Sequence, residues 1–329
     1  MSHDFNWSHP MKKYFVLLLI LVIFTTPLHA QPQQADAQKA VLITGASTGL
    51  GRAMAELLAS EGHFVYAGAR KDKDMAELNA IENIQAVRLD VTDQAQIDAA
   101  VKTITDEGRG LYGLINNAGV AVLYALAEAP DSEVEWLMDV NLYGPFRVTK
   151  AFAPLIVQSK GRISTTGSIS GILSGPMFGP YSMSKHAMEA FTDSLAREMA
   201  DAGVQVSIIE PGNYRSDIVK NVLARMKKQG YDENSPYKAN YERLSGWMAE
   251  AEKSQDEDGD PQQVAQAALH AMFSENPKRR YLVVPNQDQA EMTIKKAIQE
   301  LAQLNQDHTY SYSRDELVKM LDEALKENP

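Results

Sequence analysis

From residue 40 onward, short runs of β-branched and aliphatic residues alternate with longer stretches whose apolar positions recur at helical spacing. Ala40–Thr44, Phe64–Ala69, Ala86–Asp90, Leu114–Asn117, Arg162–Thr166, Val204–Glu210 and Tyr281–Val284 read as strands. Several are apolar almost throughout, the pattern of a parallel strand covered on both faces. Arg52–Ser60, Gln94–Asp106, Ser132–Gln158, Tyr181–Ala202 and Pro261–Phe273 read as the helices between them. Strand and helix in alternation predict one α/β domain over residues 40–285, a doubly wound parallel sheet.

Two stretches depart from this rhythm. Residues 213–259 are rich in Lys, Tyr and Met and follow the Val204–Glu210 strand, so they leave the carboxyl edge of the sheet, where ligands bind. They are expected to form a mostly helical lid over a substrate pocket, ending in the acidic run Asp256–Asp260 with Pro261 in the first turn of the next helix. Residues 286–329 are expected to be a helical tail, Asp288–Leu304 and then Ser313–Leu325, with Ser313 and Glu316 spaced as a capping box.

The N-terminus carries a different signal. Lys12 and Lys13 precede an apolar run from Tyr14 to Phe24, far short of the ~20 residues that span a bilayer as a helix. With a small residue, Ala30, before the Gln-rich residues 31–39, residues 1–30 read as a secretory signal peptide, the alternative being an uncleaved membrane anchor. Residues 31–39 are then a linker. The domain is expected to be exported, periplasmic or secreted, or held at a membrane, in preference to the cytoplasm.

Composition narrows the function classes. The 329 residues include 32 Lys+Arg against 43 Asp+Glu, a net charge of −11, which excludes the basic face of a nucleic-acid binder. There is no cysteine, hence no disulfide, thiolate metal site or thiol nucleophile. His63, His186, His270 and His308 are scattered without ligand spacing, so no metal is expected.

Candidate chemistry begins at the first strand, which runs into Thr44-Gly45-Ala46-Ser47-Thr48-Gly49-Leu50-Gly51 and then a helix. Glycines in such a turn let the backbone approach a pyrophosphate, whose charge the helix N-terminus stabilises. With a strand before it and an amphipathic helix after it, the turn is expected to hold the phosphates of a dinucleotide in a Rossmann-type domain. The second strand ends in Ala69-Arg70-Lys71, with no acid to bind a ribose 2′-hydroxyl and a cation suited to a 2′-phosphate. Arg70, with Ser47 as a further donor, therefore favours NADP, with NAD the alternative. Farther on, Tyr181 and Lys185 stand at i and i+4 on one helical face. A phenol with a pKa near ~10 is a poor acid–base group at neutral pH, and an ammonium one turn away is expected to lower it.

The Gly-x-x-x-Gly-x-Gly spacing resembles the turn of the short-chain dehydrogenase/reductase family, and the resemblance continues in order through residues 40–285. Asp90 and Val91 stand where that family contacts adenine, and Asn116-Asn117-Ala118-Gly119 matches its Asn-Asn-Ala-Gly segment. Ser168, thirteen residues before Tyr181, matches its catalytic serine, which holds the substrate oxygen; Ser164 and Ser170 are lesser candidates on spacing. Asn141 matches the asparagine that holds a water of the proton relay, and Pro211-Gly212 with Ser216 the segment beside the nicotinamide, where threonine is usual in place of Ser216. Many relatives have asparagine where Ser164 stands.

The resemblance implies hydride transfer with Tyr181 as acid and base, Lys185 gripping the nicotinamide ribose, and a homodimer or homotetramer through helices near 132–158 and 181–202. The segment Ser184–Phe191 is similar to the branch containing retinol and 17β-hydroxysteroid dehydrogenases, which implies an apolar alcohol or carbonyl substrate. Met177, Phe178 and Tyr214 are expected to line its pocket with Ser168 and Tyr181. The competing readings are a non-catalytic nucleotide sensor or partner-binding protein on the same fold, and an isomerase or epimerase.

Overall fold

A computed structural model of the chain describes residues 38–214, 217–230, 233–253 and 259–327. The expected leader, residues 1–30, and most of the linker lie outside the described residues. Seven strands form one sheet in the order β3-β2-β1-β4-β5-β6-β7, every pair parallel. They are β1 (Ala40–Ile43), β2 (Phe64–Ala69), β3 (Ile84–Arg88), β4 (Gly113–Asn116), β5 (Arg162–Thr166), β6 (Gln205–Pro211) and β7 (Arg280–Val283).

Period-two alternation sorts the side chains of β1 between two cores. Val41 and Ile43 join α1 (Gly49–Ser60), α2 (Asp72–Asn79) and α9 (Pro261–Phe273) on one face. Ala40 and Leu42 join α3 (Gln94–Asp106), α5 (Gly144–Gln158) and α6 (Gly179–Glu198) on the other. Two of the helices begin at side-chain caps that can be read in the chain: Asp93 accepts from the amides of Ala95 and Gln96 at the start of α3, and Asp260 from Gln262 ahead of α9, with Pro261 in its first turn.

Three expectations are adjusted. Helix α2 was not anticipated: it is short and charged, and buries only Leu78, so it has almost no apolar period to read. The single helix expected over Ser132–Gln158 is divided into α4 (Asp131–Met138) and α5 by a π-turn at Asp139–Tyr143, closed by the Gly144 amide donating to the Asp139 carbonyl. The third strand ends at Arg88, so Asp90 lies in the loop beyond it.

The segment expected as a lid contains α7 (Asp217–Gln229) and α8 (Lys238–Lys253). Val222, Leu223, Tyr241, Leu244 and Met248 from this pair pack against Val122, Leu123, Tyr124, Leu137 and Met177, a third core beyond the sheet. Polar clasps frame it. Arg225 spans both carboxylate oxygens of Glu133, with Nη2 2.7 Å from Oε1, and lies 4.0 Å over the Trp136 ring; Ser235 donates to Glu128 at 2.8 Å. The tail forms α10 (Gln287–Leu304) and α11 (Arg314–Glu327), and Ser313 and Glu316 make the reciprocal contacts of a capping box. No described helix is long and apolar enough to cross a membrane.

Candidate active site

The chain moves outward from β1 through β2 to β3 and then returns to place β4 on the other side of β1, so the strand order reverses between β1 and β4. The loops leaving the carboxyl ends of such a pair diverge and open a crevice. Here they are stitched together. Thr44 Oγ1 accepts the amides of Asn117 and Ala118 at 3.0 Å, while Asn117 Nδ2 donates to the carbonyls of Thr44 at 3.0 Å and Gly45 at 3.1 Å. The Asn117 side chain is thus spent on fastening the glycine turn, with Thr166 donating to its Oδ1.

The turn itself fits a dinucleotide phosphate. Gly45 holds φ +64°, and a Cβ there would stand 2.9 Å from Ala118 Cα; one at Gly51 would stand 2.3 Å from the Gly45 carbonyl oxygen. Thr48 makes no side-chain cap on α1, whose first turn also lacks an acid. The amides at that helix start are left for an anion. Around them are half-buried Ser47, Gly49 and Leu50 and exposed Thr48.

At the far edge, Arg70 is well exposed and lies 3.5 Å from Asp90. Arg88 stands beside it, donating to the Arg70 carbonyl and pairing with Asp72, a neighbour that sequence reasoning missed because it falls inside a strand. Burial works against the Asp90 carboxylate, but two hydrogen bonds from Thr92 and the Arg70 guanidinium outweigh it and hold its pKa low. Val91 is buried, where a Cβ on Gly144 would press its Cγ2.

The expected catalytic groups converge beyond the ends of β4 and β5. Ser168 follows β5, accepts the Ser170 amide at 3.1 Å and hydrogen-bonds the Tyr181 phenol. Lys185, one turn after Tyr181 on α6, is buried and donates from Nζ to the Thr166 carbonyl at 2.9 Å; that Nζ lies 5.7 Å from the Tyr181 ring centre. Asn141 sits in the π-turn. Its side chain both accepts from and donates to the Val120 backbone at 2.8 Å, and it donates to Ser184 at 3.0 Å. A Cβ on Gly119 would meet Asn141 Oδ1 at 3.5 Å and Lys185 Nζ at 3.9 Å, so Gly119 keeps the floor of the site open. Ser164 is buried inside β5, away from this edge.

The electrostatics correct one expectation. In the protein alone Tyr181 is not lowered by Lys185: burial pushes its phenol up to about 12, and only the Ser168 hydrogen bond pulls the other way. Burial lowers Lys185 to about 8, opposed by the charge of Glu189. The lysine ammonium is engaged with the Thr166 carbonyl.

The expected pocket residues divide. Met177 and Phe178 join the lid core, which also reaches the Tyr181 ring, and Phe178 meets Trp247 edge-on at 6.0 Å. Met177 holds φ +70°, a left-handed backbone costly for a bulky residue, and its carbonyl accepts the Tyr124 amide at 2.9 Å. Tyr214 is a correction. It packs in the α1–α9 layer, bridges to Gly259, and donates its hydroxyl to Gln263 at 2.6 Å, which turns it away from the lid core. Pro211 ends β6 and Gly212 follows it, and Gln289 of α10 accepts the Asn213 amide at 2.9 Å beside them. Ser216 lies outside the described residues. Among the described residues no group of His, Asp and Glu could hold a metal ion.

Comparison with known proteins places this geometry. The family model described as short chain dehydrogenase matches residues 39–227. Mouse mitochondrial D-beta-hydroxybutyrate dehydrogenase is 35% identical over 200 residues, 58% of each chain, so the match spans little more than half of that protein. The NADPH-dependent 3-dehydrocapnine reductase of Ornithobacterium rhinotracheale is 32% identical over 74% of this chain and 87% of its own. A short chain dehydrogenase/reductase from Burkholderia phymatum, solved in complex with NAD, superposes with a TM-score of 0.67 at 25% identity, covering 84% of this chain and 98% of its own.

Proposed function

Because the chain belongs to the short-chain dehydrogenase/reductase family, whose members are oxidoreductases using a nicotinamide cofactor, we propose that it interconverts a small apolar alcohol and its ketone or aldehyde with NADP. One observation carries this reading: a half-buried phenol, hydrogen-bonded to a serine, stands one turn from a buried lysine that reaches toward Gly119, in the loop stitched to the glycine turn at the sheet's reversal point. The bound nicotinamide dinucleotide supplies or accepts the hydride.

The chain's own residues do the rest. The uncapped start of α1 and the Gly45–Gly51 backbone hold the pyrophosphate, and Arg70, backed by Arg88, with Ser47 holds the 2′-phosphate. Asp90 and Val91 would border the adenine, and Asn117, Ala118, Gly119, Pro211 and Gly212 the nicotinamide. Ser168 orients the substrate oxygen. Tyr181 gives its proton to that oxygen in reduction and takes it back in oxidation, and the Lys185 charge favours the phenolate so formed. Asn141 holds the water that resupplies the proton. Met177, Phe178 and the lid core supply an apolar wall, which excludes water and strengthens each of these interactions.

Two further assignments belong to this reading. Tyr143, Phe146 and Val157 around α5 and Met183 on α6 are large exposed apolar side chains on the helices expected to pair subunits, and support a homodimer or homotetramer. The basic-then-apolar leader supports export or membrane attachment, which N-terminal sequencing of the mature, fractionated protein tests. The catalytic reading is tested by a panel of apolar alcohols and carbonyls scored for NADPH and NADH turnover. It expects turnover on the panel with NADPH preferred, and no turnover with either cofactor refutes it.

A further inference from the structure

Behind the site lies a partly buried cluster in which three carboxylates gather on one guanidinium. Glu189 stands one turn beyond Lys185 on α6 and Asp193 one turn beyond Glu189; Glu210 comes next to last in β6, and Arg280 opens β7. Arg280 reaches all three carboxylates, 3.2 Å to Glu189, 2.7 Å to Asp193 and 3.6 Å to Glu210. Asp193 is half exposed, and its pKa is held low chiefly by the Arg280 hydrogen bond, with Arg279 and Arg197 adding to it. Glu189 and Glu210 are left to divide the same guanidinium. Each buries an Oε1 atom that no hydrogen-bond donor reaches, and both carboxylates lie against the same Arg280 Nε, at 3.2 Å and 3.6 Å. Two carboxylates so placed on one guanidinium would repel, and a single proton held between them removes the second charge.

We propose that Glu189 and Glu210 share one proton, and that this pair positions the catalytic machinery by tying the Lys185 helix to the Pro211–Gly212 segment, with ionised Glu189 holding Lys185 in its charged form. The contacts meet at one point. A Cβ on Gly171, just past Ser168, would stand 2.8 Å from Glu189 Oε1 and 3.3 Å from the Lys185 carbonyl oxygen, so the glycine lets Glu189 lie under the serine turn. Glu210 leads directly into Pro211 and Gly212. Burial raises both carboxyls, and at Glu210 the charge of Glu189 adds to it. Glu189, facing Lys185, Asp193, Arg280 and Glu210, is the partner that opposes the loss of charge on Lys185. The Lys185 half of this inference rests on the dehydrogenase reading; the shared proton does not.

Infrared titration of the intact, cofactor-free protein tests the proton directly. A protonated-carboxyl band persisting at neutral pH and titrating away above the ordinary carboxylate range is expected. Glu210→Gln should remove it, Glu189→Gln should move its midpoint to lower pH, and Asp193→Asn should retain it. Its absence from the native protein overturns the proposal, even if a glutamine variant fails to fold. Activity profiles test the coupling: Glu189→Gln should move the alkaline limb of carbonyl reduction to lower pH by about half a unit, and Glu210→Gln should leave it in place. Equal movement in both variants reduces the pair to packing and overturns the positioning role. A protein with the band but no turnover on any carbonyl would refute the dehydrogenase reading while leaving the shared proton standing.

Discussion

At the residue scale, the site depends on a few side chains whose surroundings oppose their usual chemistry. Lys185 is buried with its pKa lowered to about 8, and Tyr181 is raised to about 12, so near neutrality the lysine is still mostly charged and the phenol keeps its proton. Both are the forms that carbonyl reduction requires. The rate of reduction is therefore expected to fall as pH rises through about 8, when Lys185 loses the charge that favours phenolate; a pH–rate profile flat across that range would contradict this. Arg70 makes a second, separable prediction. Among the described residues its guanidinium has one ion pair, to Asp90, and Arg70→Asp should lower the preference for NADPH over NADH by about tenfold or more, read as the ratio of kcat/KM values. An unchanged ratio would remove the 2′-phosphate role from Arg70.

At the element scale, most of the fold was legible because it rests on apolar periods of four residues or more. All seven strands and the principal helices follow from those runs, and boundaries moved by a few residues at most. What escaped notice had no such period. Helix α2 buries one leucine, and the π-turn at Asn141 inserts a turn into an otherwise continuous helical pattern, where the hydrophobic spacing stays regular enough to read as one helix. The residues of the site were legible from their motifs, but the partners that hold them were not. Thr44, Val120 and Thr166 act through backbone or hydroxyl contacts that only the folded chain brings together, and Tyr214 was misread because its neighbour Gln263 lies 49 positions away. The same holds for the lid, whose Arg225–Glu133 clasp joins residues 92 positions apart. Because Arg225 grips the buried Glu133 with a charged pair and covers the Trp136 ring, Arg225→Ala should weaken that clasp and loosen α7 from the Trp136 face, at about 1.5–3 kcal/mol of lid stability. The expected signature is a raised KM with kcat changed less, together with faster proteolysis within residues 217–253. A KM equal to the native value would detach the lid from substrate binding.

At the scale of the whole molecule, an acidic chain must hold an anionic cofactor by local groups, since its net charge of −11 repels one. Cofactor affinity should therefore weaken only modestly as salt rises, once Arg70 is present to neutralise the phosphate. The exposed Tyr143, Phe146 and Met183 concentrate on α5, α6 and the turn before α5. Light scattering of the purified protein should return a dimer or tetramer, and Phe146→Glu should shift it to smaller species; a native monomer would contradict the pairing. The central claim is narrower than any of these and rests on one phenolic proton. Tyr181→Phe removes that proton while keeping the ring in the lid core, so it should bind NADPH with the native dissociation constant and lose about 10²–10⁴-fold in kcat for carbonyl reduction. A Tyr181→Phe protein that oxidises NADPH with a carbonyl at the native rate would contradict the account.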